Sequence, residues 1–97
     1  MITDYFRLEG KKALITGAGK GIGARIATVF AEMGADVALL ARTVSDLDAV
    51  AREVTELGGE ALSFACDVTD ETALAGVVEK LTEHWGSLDI LVNNAGA

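Results

Sequence analysis

The chain has 97 residues, just over half of them hydrophobic, with no proline, one cysteine and a net charge of −7. That length allows one domain at most, and the apolar content argues against disorder. The acidic balance argues against nucleic acid or an anionic membrane as partner. No apolar run reaches bilayer length, and Met1-Ile2-Thr3-Asp4 lacks the basic and apolar regions of a signal peptide.

The apolar period switches between two and three-to-four residues along the chain. Residues 12–16 (KALIT) read as a short buried strand, followed by a helix with Ile22, Ile26, Val29, Phe30 and Met33 on one stripe. Residues 36–41 (DVALLA) form the second strand, and Leu47, Val50, Ala51, Val54 and Leu57 mark the second helix. Its start has two equal candidates at capping-box spacing, Thr43 with Asp46 and Ser45 with Asp48. Residues 61–65 (ALSFA) are the third strand. Thr69, followed by Asp70 and Glu71, is expected to cap a third helix carrying Leu74, Val77, Val78, Leu81 and Trp85. Residues 88–92 (LDILV) close the pattern as a fourth strand. Glycines at 34, 58–59 and 86 stop the three helices. His84 is expected near the last carbonyls of its helix, Trp85 against the sheet, and Cys66 as a small buried hydrophobe at a strand end. A lone cysteine rules out an internal disulfide and suits a reducing cytoplasm.

Short links between alternating strands and helices imply an α/β fold with a parallel sheet and right-handed crossovers. The most economical strand order is 3-2-1-4. It puts the first two helices on one face and the third alone on the other, so that one face is thinly covered and the fourth strand is an open edge.

Chemistry concentrates where the first strand meets the first helix. Thr16-Gly17-Ala18-Gly19-Lys20-Gly21-Ile22-Gly23 places bare backbone N–H groups at the positive end of a helix, where a pyrophosphate can settle. Gly17 permits the tight turn, Gly21 lets backbone approach the phosphates, and Gly23 lets the helix pack closely. A ligand-free turn needs one such glycine, so the context favours a dinucleotide site. A phosphate loop of the GK[ST] type fails, because its first glycine would fall at Leu14 and its magnesium-holding hydroxyl at Gly21. No residue is assigned to a metal.

A carboxylate at the end of the second strand would select NAD(H) through the ribose hydroxyls, but Ala41 and Arg42 offer none and Asp36 lies at the wrong end. Arg42 can grip a 2′-phosphate, with Lys20 as a second cation, which favours NADP(H). Asp67, after the third strand, can accept from an adenine amine or simply lead into the Thr69 cap, and spacing does not separate the two. Asn93-Asn94-Ala95-Gly96 places small residues at the fourth strand end, where backbone could run close to a ribose.

Together these residues resemble the short-chain dehydrogenase/reductase family from Leu8 to Gly96. Thr16-Gly17-x-x-x-Gly21-x-Gly23 is similar to its TGxxxGxG signature and Asn93-Asn94-Ala95-Gly96 to its NNAG signature, while Asp67-Val68 matches its adenine-contacting position. The resemblance implies an incomplete Rossmann-like sheet in which Gly17, Gly19, Lys20 and Ile22 line the pyrophosphate and adenosine side. It further implies Arg42 and Thr43 at the 2′-phosphate, Asp67 and Val68 at the adenine, and Asn94, Ala95 and Gly96 on the ribose side. The family's serine, YxxxK pair and further asparagine lie beyond the NNAG segment. The one tyrosine here, Tyr5, has Glu9 rather than lysine four residues on and is expected away from the cofactor. Residues 1–97 are therefore expected to be the NADP-binding part of a single domain without its catalytic part, inactive alone, a weak nucleotide binder at best, and associating through the fourth-strand edge or the thinly covered face. The parent would be a homo-oligomer acting on a small alcohol or ketone, resembling 3-oxoacyl-carrier-protein reductases and hydroxysteroid dehydrogenases alike. A stand-alone NADP(H)-binding module, or a fragment that folds without cofactor, shares the same residues.

Overall fold

The structure, a computed structural model, describes residues 7–94. Tyr5, Ala95 and Gly96 lie outside the described residues. Four parallel strands, β1 (Lys12–Thr16), β2 (Asp36–Ala41), β3 (Ala61–Ala65) and β4 (Ile90–Val92), form one sheet in the order β3-β2-β1-β4. Helices α1 (Gly21–Glu32), α2 (Asp48–Glu56) and α3 (Glu71–Trp85) connect them. Register is continuous across the centre, with Ala13 opposite Val37 and Ile90, and Ile15 opposite Leu39 and Val92.

Alternation of the central strands divides the core. Ala13, Ile15, Val37 and Leu39 face α1 and α2, where Ala27, Ala31, Val50 and Val54 pack on them. Leu14, Ala38 and Leu40 face the other way, onto Val77 and Leu81 of α3. Both central strands are thus apolar on both faces, the pattern of a sheet buried between helix layers. One helix covers the second face, as the crossover pattern requires, and Leu91 on the outer strand is 62% exposed.

Two helix starts differ from expectation. Asp70, not Thr69, is the N-cap of α3, its carboxylate accepting from Ala73 N at 3.1 Å. Thr69 is turned back to Asp67. Before α2 the chain makes a 3₁₀ turn, Val44–Leu47, with no side-chain cap from either Thr43 or Ser45. Buried Leu47 pins this turn to the core and so replaces the cap as its anchor. β4 begins at Ile90 rather than residue 88, because Asp89 is occupied at the strand entry. Its Oδ2 accepts from Lys12 N at 2.8 Å, and its N–H donates to Lys12 O at 2.9 Å.

A polar network ties the layers together at the N-terminal ends of the strands. Lys12 Nζ donates to Asp36 Oδ2, and Glu60 N donates to Asp36 Oδ1 at 2.8 Å. Burial alone would raise the Asp36 pKa, but the Lys12 and Glu60 bonds and the Lys12 charge outweigh it and hold the carboxyl below its usual range. Glu60 in turn accepts from Trp85 Nε1 at 2.6 Å and pairs with His84 Nε2 at 3.0 Å. His84 thus sits in the last turn of α3, as expected, but is held by the carboxylate of Glu60, just before β3, rather than by its own helix carbonyls. Trp85 packs into the second cluster, with the Lys12 ammonium 5.7 Å from its ring centre. This end of the sheet is tied by side-chain bonds; the opposite end borders a pocket.

Candidate functional site

At the C-terminal ends of the strands, β1 runs from Thr16 into the turn 17–20 and directly into α1. Gly17 and Gly21 have φ of +61° and +63°, a region where a side chain costs about 1–2 kcal/mol. Gly23 serves a different end. A Cβ there would lie 2.1 Å from Gly17 O and 2.8 Å from Asn94 Nδ2, so its missing side chain lets the first turn of α1 sit against the glycine turn itself. Ala18 N donates to Leu40 O at 3.0 Å, tying the turn to β2.

Thr16 fastens the turn from below. Its side chain is buried, and its hydroxyl accepts from Asn94 N at 2.9 Å while lying 3.2 Å from Asn93 Oδ1 as donor. Asn94 Nδ2 donates to Gly17 O at 3.3 Å. The ends of β1 and β4 are thereby locked together beneath the glycines.

The N-terminus of α1 is open electrostatically as well as sterically. Lys20 occupies the N-cap position in extended conformation without a side-chain capping bond, and no acid stands in the first turn. First-turn N–H groups and the positive helix end remain available to an anion. Such a donor set, with backbone rather than side chains at its surface, fits a pyrophosphate.

These elements border a pocket of about 500 Å³. Gly17, Gly19, Lys20 and Ile22 line it from the turn and α1, Arg42 from the end of β2, Val68 from the loop after β3 and Asn94 from the end of β4. Seven residues expected from sequence thus converge on one cavity. Gly21, Gly23, Thr43 and Asp67 do not line it, although Gly23 supports its floor.

The pocket also contains residues that the sequence motifs do not single out as ligand contacts: Ala41, Asp46, Cys66 and Thr69. Ala41 and Arg42 offer no carboxylate at the strand end, but Asp46 brings one to the same pocket. It lies beyond the strand end, but the 3₁₀ turn folds back until Asp46 Cβ would be 3.0 Å from a Cβ on Gly19. The Thr43/Asp46 spacing marks this residue only as a helix-start candidate. Cys66 is buried, and burial, together with the charges of Asp70 and Asp67, raises its thiol pKa, so it remains a neutral hydrophobic wall.

Asp67 stands in the chain between the lining residues Cys66 and Val68. Its Oδ1 accepts from Thr69 Oγ1 at 2.7 Å and Thr69 N at 2.9 Å. Those two bonds, and then the Arg42 charge, hold its pKa below the usual value, so the carboxylate is ionised. Oδ1 therefore organises the loop after β3, and Oδ2 has no hydrogen-bond partner among the described residues.

Residues 11–97 match the sequence family described as short chain dehydrogenase. The chain is 46% identical to 7alpha-hydroxysteroid dehydrogenase of Escherichia coli (strain K12), covering 97% of this chain and 37% of that protein. A metagenomic short-chain oxidoreductase in complex with NADP shares 47% identity at a TM-score of 0.89, with 93% of this chain and 41% of that chain covered. Carveol dehydrogenase from Mycobacterium avium in complex with NAD shares 34% identity at a TM-score of 0.88, covering 94% and 37%. The chain therefore spans well under half the length of these relatives. With the strand order, the glycine turn and these similarities in agreement, the chain belongs to the short-chain dehydrogenase/reductase family of oxidoreductases.

Proposed function

We propose that residues 1–97 are the NADP(H)-binding N-terminal part of a single-domain oxidoreductase. The whole protein would move a hydride between nicotinamide and an alcohol or ketone carbon of a small molecule. The observation that carries this reading is the convergence of Lys20 and Arg42 on one pocket at an uncapped helix N-terminus. Gly17, Gly19, Gly21 and Ile22 would flank the pyrophosphate, with Gly23 holding the helix against the turn. Lys20, Arg42 and Thr43 would hold the 2′-phosphate by charge-assisted hydrogen bonds. Asp67, through Oδ2, and Val68 would meet the adenine, and Asn94, Ala95 and Gly96 the ribose side.

The bound cofactor would supply or accept the hydride. The residues present here bind and orient it, whereas proton transfer at the carbinol oxygen needs a tyrosine–lysine pair that this stretch does not contain. Residues 1–97 alone should bind without turning over. The same reading places the protein in the cytoplasm, consistent with a single buried thiol, and makes it a homo-oligomer. In the isolated stretch, the outer strand with exposed Leu91 would drive self-association, measurable by sedimentation.

The test is a titration of NADPH and NADH against the wild-type protein and Arg42→Ala. NADPH should bind more tightly than NADH, and Arg42→Ala should weaken NADPH selectively, by about tenfold or more. Equal affinities in the wild type would remove the case for NADP(H).

A further inference from the structure

Asp46 shares the pocket with Arg42 and Lys20, and it is the carboxylate that the 3₁₀ turn carries to the glycine turn. Contact with Gly19 fixes that position: even a methyl group on Gly19 would meet Asp46 Cβ at 3.0 Å and its carbonyl oxygen at 3.3 Å. Asp46 is exposed, and among the described residues it forms no ion pair with either cation. Its charge is therefore not neutralised by Lys20 or Arg42 beside the pocket that all three line.

We propose that Asp46 is a specificity-determining residue that limits the preference for NADP(H) over NAD(H). This rests on the reading that Arg42 and Lys20 receive the 2′-phosphate. That group brings nearly two negative charges, whereas the NAD(H) ribose brings a neutral hydroxyl. A carboxylate carried on that anchored backbone and Cβ opposes the first and is nearly indifferent to the second. Asp46 thus moderates the preference that Lys20 and Arg42 set, in addition to the ionised Asp67 carboxylate that also feels the Arg42 charge. Across several ångströms in a solvent-open pocket, removing one such charge is worth about three- to tenfold in affinity for a phosphate monoester.

The experiment measures separate dissociation constants for NADPH and NADH on the wild-type protein, Asp46→Asn, Asp46→Ser and Arg42→Ala. Both Asp46 variants should tighten NADPH about three- to tenfold, with a smaller change for NADH, and the gain should shrink as salt is raised. Unchanged NADPH affinity in both variants overturns the proposal. Weaker NADPH binding also overturns it, making Asp46 a support for Arg42. Loss of NADH affinity alone overturns it by making Asp46 a ribose acceptor. If Arg42→Ala leaves NADPH binding intact, the underlying reading fails, and the proposal falls with it. A wild-type protein that binds neither dinucleotide overturns both.

Discussion

Replacing Gly23 with alanine would place a methyl group 2.1 Å from Gly17 O and 2.8 Å from Asn94 Nδ2, separations that real Cβ atoms essentially never show. The nearer atom is backbone and is held by the turn, so neither side can swing away cheaply. Relief requires the first turn of α1 to lift from the glycine turn, which also breaks the 3.3 Å bond from Asn94 to Gly17. Overpacking against backbone costs about 3 kcal/mol, and the lost hydrogen bond about 1 more. That is a large share of a small domain's stability, which is about 5–15 kcal/mol. Gly76 in α3 provides the matched control, since a Cβ there meets nothing within 4 Å. Gly76→Ala should stabilise by about 0.5–1 kcal/mol through helix propensity alone. Urea denaturation of both variants reads the difference, and NADPH titration should show binding lost only in Gly23→Ala. A Gly23→Ala cost below about 1 kcal/mol, or equal behaviour of the two variants, would show that the close approach does not govern the turn.

Thr16→Val keeps the volume but strands the Asn94 amide and releases β4 from the turn, so stability should fall by about 1–3 kcal/mol in urea, with NADPH affinity falling in parallel. Glu60 is held below its usual pKa of 4.5 first by Trp85 and then by His84. A depressed folded value means that its contribution is complete above the unfolded value and is lost as pH falls through the folded one. Glu60→Gln should therefore flatten the acid side of the Tm profile below pH 4.5 and leave the cofactor end unaffected; an unchanged acid slope would contradict the network's role. Leu91→Lys on the outer strand should reduce self-association of the isolated stretch in sedimentation.

Periodicity is enough to place β1, β2 and β3 to the residue: β1 and β2, buried on both faces, read as largely apolar runs, and β3 is a short apolar-rich run bounded by Gly58-Gly59 and Asp67. The glycine turn is legible for the same local reason, since turn, helix start and close packing all fall within eight residues. What escapes is long-range or depends on a turn's path. Glu60 meets His84 and Trp85 across 24 and 25 residues, and Thr16 meets Asn94 across 78, distances over which no local pattern runs. Asp46 escapes because its separation from the strand end along the chain is not a separation in space: Leu47 buries and draws the turn back over Gly19. Thr69 and Asp70 are both competent caps. Asp67 decides between them by engaging Thr69 first.

The location of the site can be tested by following backbone amide NMR signals during an NADPH titration. Shifts should be largest from Gly17 to Gly23, at Arg42 and at Asn94, with Lys12, Glu60 and Trp85 at the opposite end of the sheet unmoved. Saturating shifts around Lys12, Glu60 and Trp85, or none at the glycine turn, would contradict a dinucleotide site at the C-terminal ends of these strands.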